Sequence, residues 1–194
     1  MQLSDLDLSK TYSYADYLQW TFEDRLELIK GKIFKMTPAP ASKHQYISWI
    51  IASELYPYLK GKKCKAYPAP FDVRLPRKGD HDDRKVFTVV QPDICVVCDP
   101  NKIDTRGCTG APDIVVEILS PGNNQKELRN KYEVYEEAGV KEYWIVSPQD
   151  KTFLKYTLTA DGYQPSKLMT MGDTITTPIL PGFELSLDTV FADN

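Results

Sequence analysis

The sequence predicts an α/β fold that tends towards α+β, with a mixed, mostly antiparallel sheet, flanking helices and one βαβ unit. Three apolar runs, at residues 89–97, 114–119 and 143–146, are rich in the Val, Ile, Tyr and Trp that suit buried strands. A helix-like segment separates the last two runs and ends at Gly139, since glycine commonly terminates helices. Strand, helix and strand within about 30 residues form a βαβ signature, which indicates that these two strands are parallel.

Local patterns predict the elements before these runs, in chain order. Residues 11–20 indicate a short helix, and residues 26–36 indicate a hairpin that turns at a glycine. A second helix is expected to begin with Ser42 as its cap, to bury an apolar stripe and to end at Gly61. Apolar and polar residues alternate over residues 71–75, which predicts a strand with one face buried.

Further signals support the helix of the βαβ unit and the elements after it. Asn123 or Asn124 can cap that helix. Residues 153–168 predict a hairpin around an Asp-Gly turn. The apolar side chains of residues 183–191 are expected to pack back on the core.

Two acidic residues stand inside apolar runs. Asp93 lies in the first run and Glu117 in the second. A buried carboxylate is costly unless it is compensated, and Mg²⁺ is a suitable cation because one or two carboxylates are often its only protein ligands. In the alternative interpretation, Asp93 belongs to a turn after a proline and Glu117 pairs with a nearby lysine. The residues alone leave both interpretations open.

Strand geometry decides which acids can share a cation. Asp113 and Glu117 would point to one face of the same strand, but four residues at about 3.3 Å each separate them by roughly 13 Å. Magnesium–oxygen distances are about 2.1 Å, so these two carboxylates cannot hold one ion. Asp93 could meet Glu117 if their strands are neighbours in the right register.

Several motifs resemble, in the same order along the chain, those of the Uma family of restriction-endonuclease-like proteins in the PD-(D/E)XK nuclease superfamily. They cover most of the sequence, and their order is more specific than any one of them. The matching elements are LELIKGKI (26–33), the helix that carries His44, VVQPDI (89–94), PDIVVEILSP (112–121), the Lys131, Tyr135 and Gly139 spacing before EYWIV (142–146), and ILPGFEL (179–185).

The resemblance implies a restriction-endonuclease-like fold and the activity of a Mg²⁺-dependent endodeoxyribonuclease, a hydrolase of phosphodiester bonds in DNA. Asp93 and Glu117 would be the two acids of the motif. They would hold Mg²⁺, or Mn²⁺ in its place, with help from the backbone carbonyl of Ile118. The resemblance also implies an acid near the metal at Glu27, although an exposed acid on a half-buried strand fits the same pattern.

The chain departs from the superfamily motif where a lysine is required, because position 119 is Leu119. The resemblance implies that the amine comes instead from the following helix, as Lys131, which would orient the attacking water or contact the scissile phosphate. Helical phase places Lys131 at the border of the buried face. In the alternative interpretation, Lys131 forms a surface ion pair with Glu127, four residues earlier.

Two other function classes remain open. One is a binding module that keeps the fold without the chemistry and holds nucleic acid or a protein. The other is an intact metal site that acts on RNA or on another phosphoester. His44, in the first turn of the second helix, could contact a phosphate. A first-turn histidine is more often surface decoration, so the predicted site does not include it.

Composition bounds these hypotheses. The 194 residues carry a formal net charge of −3, which is evidence against a broad basic surface for nucleic acid. One domain over residues 1–194 is expected because no segment is typical of a linker. The sequence has no long apolar run and no signal-peptide pattern, so a cytoplasmic protein without a membrane span is expected.

The four cysteines form no pattern typical of a disulfide-rich secreted protein. Cys95 and Cys98 have a spacing that occurs in zinc sites, but residues three apart in a strand point to opposite faces. Buried free thiols are therefore expected.

A homodimer is predicted from the implied chemistry. A nuclease with a single site needs two copies to cleave both strands of a duplex, and twofold symmetry is the commonest way to provide them. The apolar tail and the aromatic hairpin of residues 156–163 are the candidate contact surfaces.

Overall fold

The computed structural model describes residues 5–21, 24–36, 41–77, 80, 82–120 and 125–192, and in the last segment it describes side chains from residue 128 onward. The helices found in these residues are α1 (Tyr14–Tyr17), α2 (Ser42–Leu59), α3 (Gln125–Ala138) and α4 (Leu187–Val190). The strands are β1 (Leu26–Ile29), β2 (Lys32–Lys35), β3 (Lys65–Pro68), β4 (Val73–Arg74), β5 (Val89–Val90), β6 (Ile94–Val97), β7 (Ile103–Asp104), β8 (Gly107–Thr109), β9 (Ile114–Ile118), β10 (Glu142–Ser147), β11 (Thr152–Thr159), β12 (Gly162–Pro165), β13 (Met169–Thr170), β14 (Thr174–Thr176) and β15 (Glu184–Ser186).

Two mixed sheets form the body of the fold. The first sheet has the order β12-β11-β10-β9-β6-β3, with β13 paired to β11, and the second has the order β2-β1-β5-β4-β8-β7. Among the described strands, neighbours are antiparallel except β9 with β10 and β4 with β8. Strands β14 and β15 form a separate pair. The predicted fold class, a mixed α+β architecture with helices beside mostly antiparallel strands, is confirmed.

The predicted βαβ unit is β9, α3 and β10. Strands β9 and β10 are parallel, with Ile114 paired to Glu142 and Ile118 paired to Val146. Gly139 ends α3 as predicted, because its φ of +87° is a left-handed conformation that glycine adopts without strain. The predicted caps Asn123 and Asn124 lie outside the described residues.

Strands β6 and β9 are buried on both faces. Ile94 and Val96 join Val116 in a core against α2, while Cys95 and Val115 join a second core that includes Tyr135 of α3. Because both faces need apolar side chains, these strands read as continuous apolar runs. The odd-numbered residues of β6 and β9 therefore point towards α3 and the second sheet, and so does any acid at an odd position.

The prediction of one strand over residues 89–97 is wrong. Val89–Val90 belong to the second sheet and Ile94–Val97 to the first, so the chain crosses between sheets at residues 91–93. Pro92 lies at this corner, where it suits the break because proline has no N–H for a strand ladder. Asp93 therefore precedes β6 instead of interrupting a strand.

Helices α1 and α2 agree with the prediction except at their ends. Helix α1 is shorter than expected, and Ser13 and Asp16 cap it reciprocally. Ser42 is the first residue of α2, and Ala41 occupies the capping position without a side-chain acceptor. No helix in the described ranges is long and apolar enough to cross a bilayer.

The expectation of free thiols is wrong for one strand pair. Cys64 and Cys98 form a disulfide, because the β3–β6 register pairs Lys65 with Val97 and so places the two cysteines opposite each other. Cys95 and Cys108 are free and buried.

The two surfaces expected to form a dimer contact differ in burial. The apolar side chains of the tail lie in the core beside α2, which confirms that the tail packs back and explains its apolar character. In the hairpin, Tyr163 is buried and the half-buried Tyr156 packs at 6.1 Å from Tyr143 between ring centroids, while residues 159–161 at the turn are exposed.

Candidate active site

Strand register brings two predicted acids together where β6 begins and β9 ends. The antiparallel ladder pairs Ile94 with Val116, so one further step places Asp93 opposite Glu117. The Ile118 backbone N–H donates a hydrogen bond of 2.7 Å to Asp93 Oδ2. The register that the two acids need in order to meet is therefore present.

Lys131 of α3 and Glu27 of β1 reach the same place. Lys131 Nζ lies 2.9 Å from Glu117 Oε1 and 3.1 Å from Glu27 Oε1. Glu27 Oε1 also accepts a hydrogen bond of 2.8 Å from the backbone N–H of Gln91. One ammonium group therefore joins a carboxylate of the first sheet to a carboxylate of the second.

Burial of these side chains corrects two expectations. Lys131 is 5% exposed, so it lies inside the buried face and not at its border. Glu27 is 2% exposed, which excludes a solvated acid on a half-buried strand. Both differences arise because α3 and β1 cover the same face of β9, an arrangement that helical phase alone does not give. The Glu127 side chain, the alternative partner of Lys131, lies outside the described residues.

The arrangement also contains the features of the second interpretation, since Asp93 follows a proline and Glu117 pairs with a lysine. Charge counting bears on the choice between them. The carboxylates of Glu27 and Glu117 share the ammonium of Lys131, while the adjacent Asp93 has His44 Nε2 at 3.3 Å. One ammonium offsets only part of the charge of the two buried glutamates, and a buried surplus of charge is costly.

Burial and the neighbouring charges both act on the pKa of Glu117. Burial raises its pKa to about 7, the Lys131 ammonium opposes the rise, and the charges of Asp93 and Glu27 add to it. Burial by itself lowers the pKa of Lys131, but Glu117 and Glu27 more than reverse this and hold that pKa well above its usual value. Lys131 is therefore protonated at neutral pH, while Glu117 is easily protonated.

Two further side chains contact the acids. The Tyr135 hydroxyl donates a hydrogen bond of 2.7 Å to Glu117 Oε1, and His44 Nε2 lies 3.3 Å from Asp93 Oδ2. Burial lowers the pKa of His44, but the hydrogen bond and charge of Asp93 outweigh it, so the pKa is raised. The sequence signal for Tyr135 is its position one helical turn after Lys131, on the same face. His44 is 7% exposed, so it is not surface decoration.

A cavity of about 210 Å³ opens at this cluster, lined by Asp93, Glu117, Ile118, Lys131 and His44 among others. Asp113 is not part of it, as the distance argument predicts. Its carboxylate accepts hydrogen bonds from Lys141 Nζ and from the Cys98 backbone N–H, both at 2.7 Å.

The donor set suits a hard cation with few protein ligands. Within the described ranges, no group of three or more His, Cys, Asp and Glu side chains is arranged to hold a metal ion. Hydrogen bonds from the described residues reach Oδ2 of Asp93 and Oε1 of Glu117. Two carboxylate oxygens and a backbone carbonyl match the ligands that Mg²⁺ and Mn²⁺ take, with water and substrate completing the shell.

Comparisons with known proteins agree with this architecture. In the crystal structure of "a putative nuclease belonging to DUF820" from Anabaena variabilis, 98% of that chain aligns with 93% of this one, at a TM-score of 0.74 and 20% identity. That likeness shows the fold. An uncharacterized protein of Synechocystis sp., slr1290, is 24% identical over 153 residues, covering 77% of this chain and 76% of its own.

The family comparison covers nearly the whole chain. Residues 14–188, which include Glu27, Asp93, Glu117 and Lys131, match the model of the Uma2 family, described as "Putative restriction endonuclease". Since the match spans far more than half of the sequence, the chain belongs to the Uma2 family.

Proposed function

We propose that this protein is a metal-dependent nuclease that hydrolyses phosphodiester bonds in DNA. The observation that carries the proposal is the concentration of carboxylates at the cavity, in which Asp93 lies opposite Glu117 while the two buried glutamates, Glu117 and Glu27, share the single ammonium of Lys131. A divalent cation offsets such a concentration of negative charge, and an anionic phosphate then enters a site that is no longer repulsive. Membership of the family supports a nuclease in general.

Asp93, Glu117 and the backbone carbonyl of Ile118 would hold Mg²⁺, or Mn²⁺ in its place. When bound, the cation would lower the pKa of a water molecule and offset negative charge on the phosphate. The chain itself keeps the two acids in position. The Ile118 N–H and the Tyr135 hydroxyl each engage one oxygen of a carboxylate, at 2.7 Å in both cases, and the other oxygen of each acid would bind the cation.

Lys131 would supply the amine that Leu119 cannot. Its ammonium is held by two carboxylates and lines the cavity, so it is positioned to orient the attacking water or to contact the scissile phosphate as a point charge. Glu27 acts through Lys131, because the Gln91 N–H fixes the oxygen of Glu27 that lies 3.1 Å from the ammonium.

A second candidate is a binding module without catalysis. It is favoured by the ion pairs of Lys131, which already compensate part of the charge of Glu117. In that case the cluster is a structural bridge between sheets, and the cavity binds nucleic acid without hydrolysing it. A nuclease acting on RNA is the remaining alternative, and a panel of DNA and RNA substrates distinguishes it.

A metal titration tests the proposal. Cleavage of DNA should appear with Mg²⁺ or Mn²⁺. At Mn²⁺ about 100 times its Kd, binding to the native state alone stabilises by ~2.7 kcal/mol, which raises Tm by roughly 5–10 °C in a chain of this size. The variant Asp93→Asn/Glu117→Gln should lose both effects. The matched control is Asp161→Asn/Glu184→Gln, which neutralises two exposed acids and should keep both.

Two results would contradict the proposal. If Mn²⁺ raises the Tm of wild type and of the Asp93→Asn/Glu117→Gln variant equally, Asp93 and Glu117 do not hold the metal ion. Absence of cleavage by wild type across DNA and RNA substrates with either metal would favour the binding module.

The homodimer remains an expectation that depends on the substrate. Two copies are needed only if both strands of a duplex are cut. The apolar side chains of the tail are buried in this fold, so of the two expected contact surfaces the hairpin keeps exposed residues.

A further inference from the structure

The solvent face of α2 carries aromatic side chains. Trp49 is 65% exposed, Tyr56 is 66% exposed and Tyr46 is 37% exposed. They stand at helical spacings of three and seven residues, and Tyr46 and Trp49 are neighbours at 6.5 Å between ring centroids. The opposite face of α2 buries Ile47, Ile51, Leu55 and Leu59 in the core.

These aromatics are not needed for the packing of α2. An amphipathic helix normally places polar residues on its solvent face, so a row of large exposed rings there indicates a binding surface. Ser42, Ser53 and Lys60 continue the row between and beyond the rings. A protein interface has an apolar centre depleted of charge, whereas a row of rings separated by small polar residues suits flat ligands that stack.

Helix α2 also borders the candidate active site. Gln45 and Ser48 line the cavity that contains Asp93 and Lys131. Trp49 follows Ser48 directly and comes one turn after Gln45. A ligand that occupies the cavity and extends past these residues therefore meets the aromatic row at the rim.

Charge near α2 is complementary to a phosphate backbone. Residues 42–65 contain Lys43, Lys60, Lys62, Lys63 and Lys65 against the single acid Glu54. Lys43 also lines an adjoining cavity of about 550 Å³ together with His44. Salt bridges to carboxylates are found for none of these five lysines within the described residues. A local excess of basic residues therefore lies on the helix that carries the rings and in the segment directly after it.

We propose that the Trp49 and Tyr56 face of α2 is a stacking platform for unpaired bases of a nucleic-acid strand, and that its lysines hold the strand's phosphates. This inference rests on the proposed function and names its substrate class, which is single-stranded nucleic acid or a duplex with an unpaired end. Stacking needs accessible base faces, which an intact duplex does not offer. One copy of the chain is enough for such a substrate.

Binding without cleavage tests the platform directly. Fluorescence anisotropy of a labelled 20-nucleotide oligo-dT and of a 20-base-pair duplex is measured in EDTA, which removes divalent metal. Wild type should bind the single strand at least about tenfold more tightly than the duplex. Trp49→Ala/Tyr56→Ala should weaken single-strand binding by roughly 30-fold or more, since each stacked base contributes about 5- to 150-fold. Trp49→Phe/Tyr56→Phe should stay within about threefold of wild type, because a ring remains.

Leu168→Ala is the matched control, since Leu168 is 63% exposed and lies outside α2. It should leave binding unchanged. Thermal melting verifies that all variants are folded, as expected for exposed positions. Unchanged binding by Trp49→Ala/Tyr56→Ala, or preference of wild type for the duplex, overturns the platform. A dimer in light scattering that this variant converts to monomer, with oligo-dT binding unchanged, identifies the face as a self-association surface instead.

The experiments can refute the stacking platform and the proposed nuclease function independently of each other. Asp93→Asn/Glu117→Gln should bind oligo-dT as wild type does while losing metal-dependent cleavage. Platform binding by a wild type that cleaves no substrate would refute the nuclease and leave the platform. Cleavage of intact duplex that is equal in wild type and in Trp49→Ala/Tyr56→Ala would refute the platform and leave the nuclease.

Discussion

Two buried glutamates on adjacent strands of the first sheet are compensated in different ways. Glu142 of β10 has hydrogen bonds to both oxygens, from Trp144 Nε1 at 2.8 Å and from Thr177 Oγ1 at 2.9 Å, with Lys155 Nζ at 3.8 Å. Within the described part of the chain, Glu117 of β9 has hydrogen bonds from Lys131 and Tyr135, and both converge on Oε1. Burial is therefore not what distinguishes them.

The difference lies in the surrounding charges. Glu142 is held mainly by neutral donors, which is how a structural acid is satisfied inside a core. Glu117 faces Asp93 and shares its lysine with Glu27, and the charges of both acids add to the rise that burial causes in its pKa. We therefore propose a ligand-binding role for Glu117 and a structural role for Glu142.

The largest expected effect is that of Lys131→Met. It leaves Glu117 and Glu27 buried without their cation, so we expect a loss of about 3 kcal/mol in the free energy of unfolding, measured by urea denaturation. DNA cleavage should fall by more than about 100-fold. The matched control is Lys155→Met, which should cost less than about 1 kcal/mol because Glu142 keeps two neutral donors.

A Lys131→Met variant that cleaves DNA as fast as wild type would show that the lysine on α3 does not replace the amine of the motif. From its predicted place at the border of the buried face, Lys131 is expected to be replaceable with folding nearly unchanged, and Lys126→Ala is expected to keep most of the activity. The buried position of Lys131 changes the first expectation, and the Lys126 side chain lies outside the described residues.

Substitution of the two glutamates should have opposite effects on stability and on activity, since one variant should lose mainly stability and the other mainly cleavage. Glu142→Gln replaces one of the two accepting oxygens with an NH₂ group, which cannot accept from the Trp144 or Thr177 donor that it meets, so the variant should lower stability by about 2 kcal/mol and leave the specific cleavage rate unchanged. Glu117→Gln should cost less than about 1 kcal/mol, since the raised pKa of Glu117 shows that its charged form is disfavoured, yet it should abolish cleavage. Urea denaturation and initial cleavage rates at pH 8 measure both. Equal loss of activity in the Glu142→Gln and Glu117→Gln variants would contradict the assignment of a structural role to Glu142 and a site role to Glu117.

Among the variants of the site, the smallest effect on the cleavage rate is expected for the tyrosine that contacts Glu117. Tyr135→Phe should cost about 1.5 kcal/mol, because its hydroxyl bonds to a carboxylate, and should slow cleavage by about tenfold. Its control is Tyr163→Phe, which loses a 2.8 Å bond to the Val140 carbonyl and should cost about 1 kcal/mol with cleavage unchanged. A Tyr135→Phe variant with the wild-type cleavage rate would reduce Tyr135 to a packing residue.

Composition and local spacing predict the βαβ unit, which the parallel pairing of β9 with β10 confirms. The rise per residue excludes Asp113 as a partner of Glu117 in one ion site, but the meeting of Asp93 with Glu117 depends on a strand register that the sequence leaves open. The family resemblance implies the place of Lys131 in the cluster, and its contact with Glu117 agrees with that placement.

Features that depend on how elements meet were not predictable. The depth of Lys131 is set by β1 closing over α3, and the Cys64–Cys98 bond is set by the β3–β6 register. The exposure of Trp49 follows from the way α2 docks on the first sheet, because tryptophan at a helical position is compatible with either face. Each of these requires knowledge of long-range pairing that periodicity does not contain.

The corner at residues 91–93 limits which insertions and deletions this fold can accept. Gln91 is tied to Glu27 in one sheet, and two residues later Asp93 is tied to Ile118 in the other. Since side chains alternate along a strand, one added residue here would turn β6 over and exchange Ile94 with Cys95 between the two cores. The acid would then face away from Lys131. Length variation in this family should therefore accumulate elsewhere, while the three-residue span between the sheets stays constant.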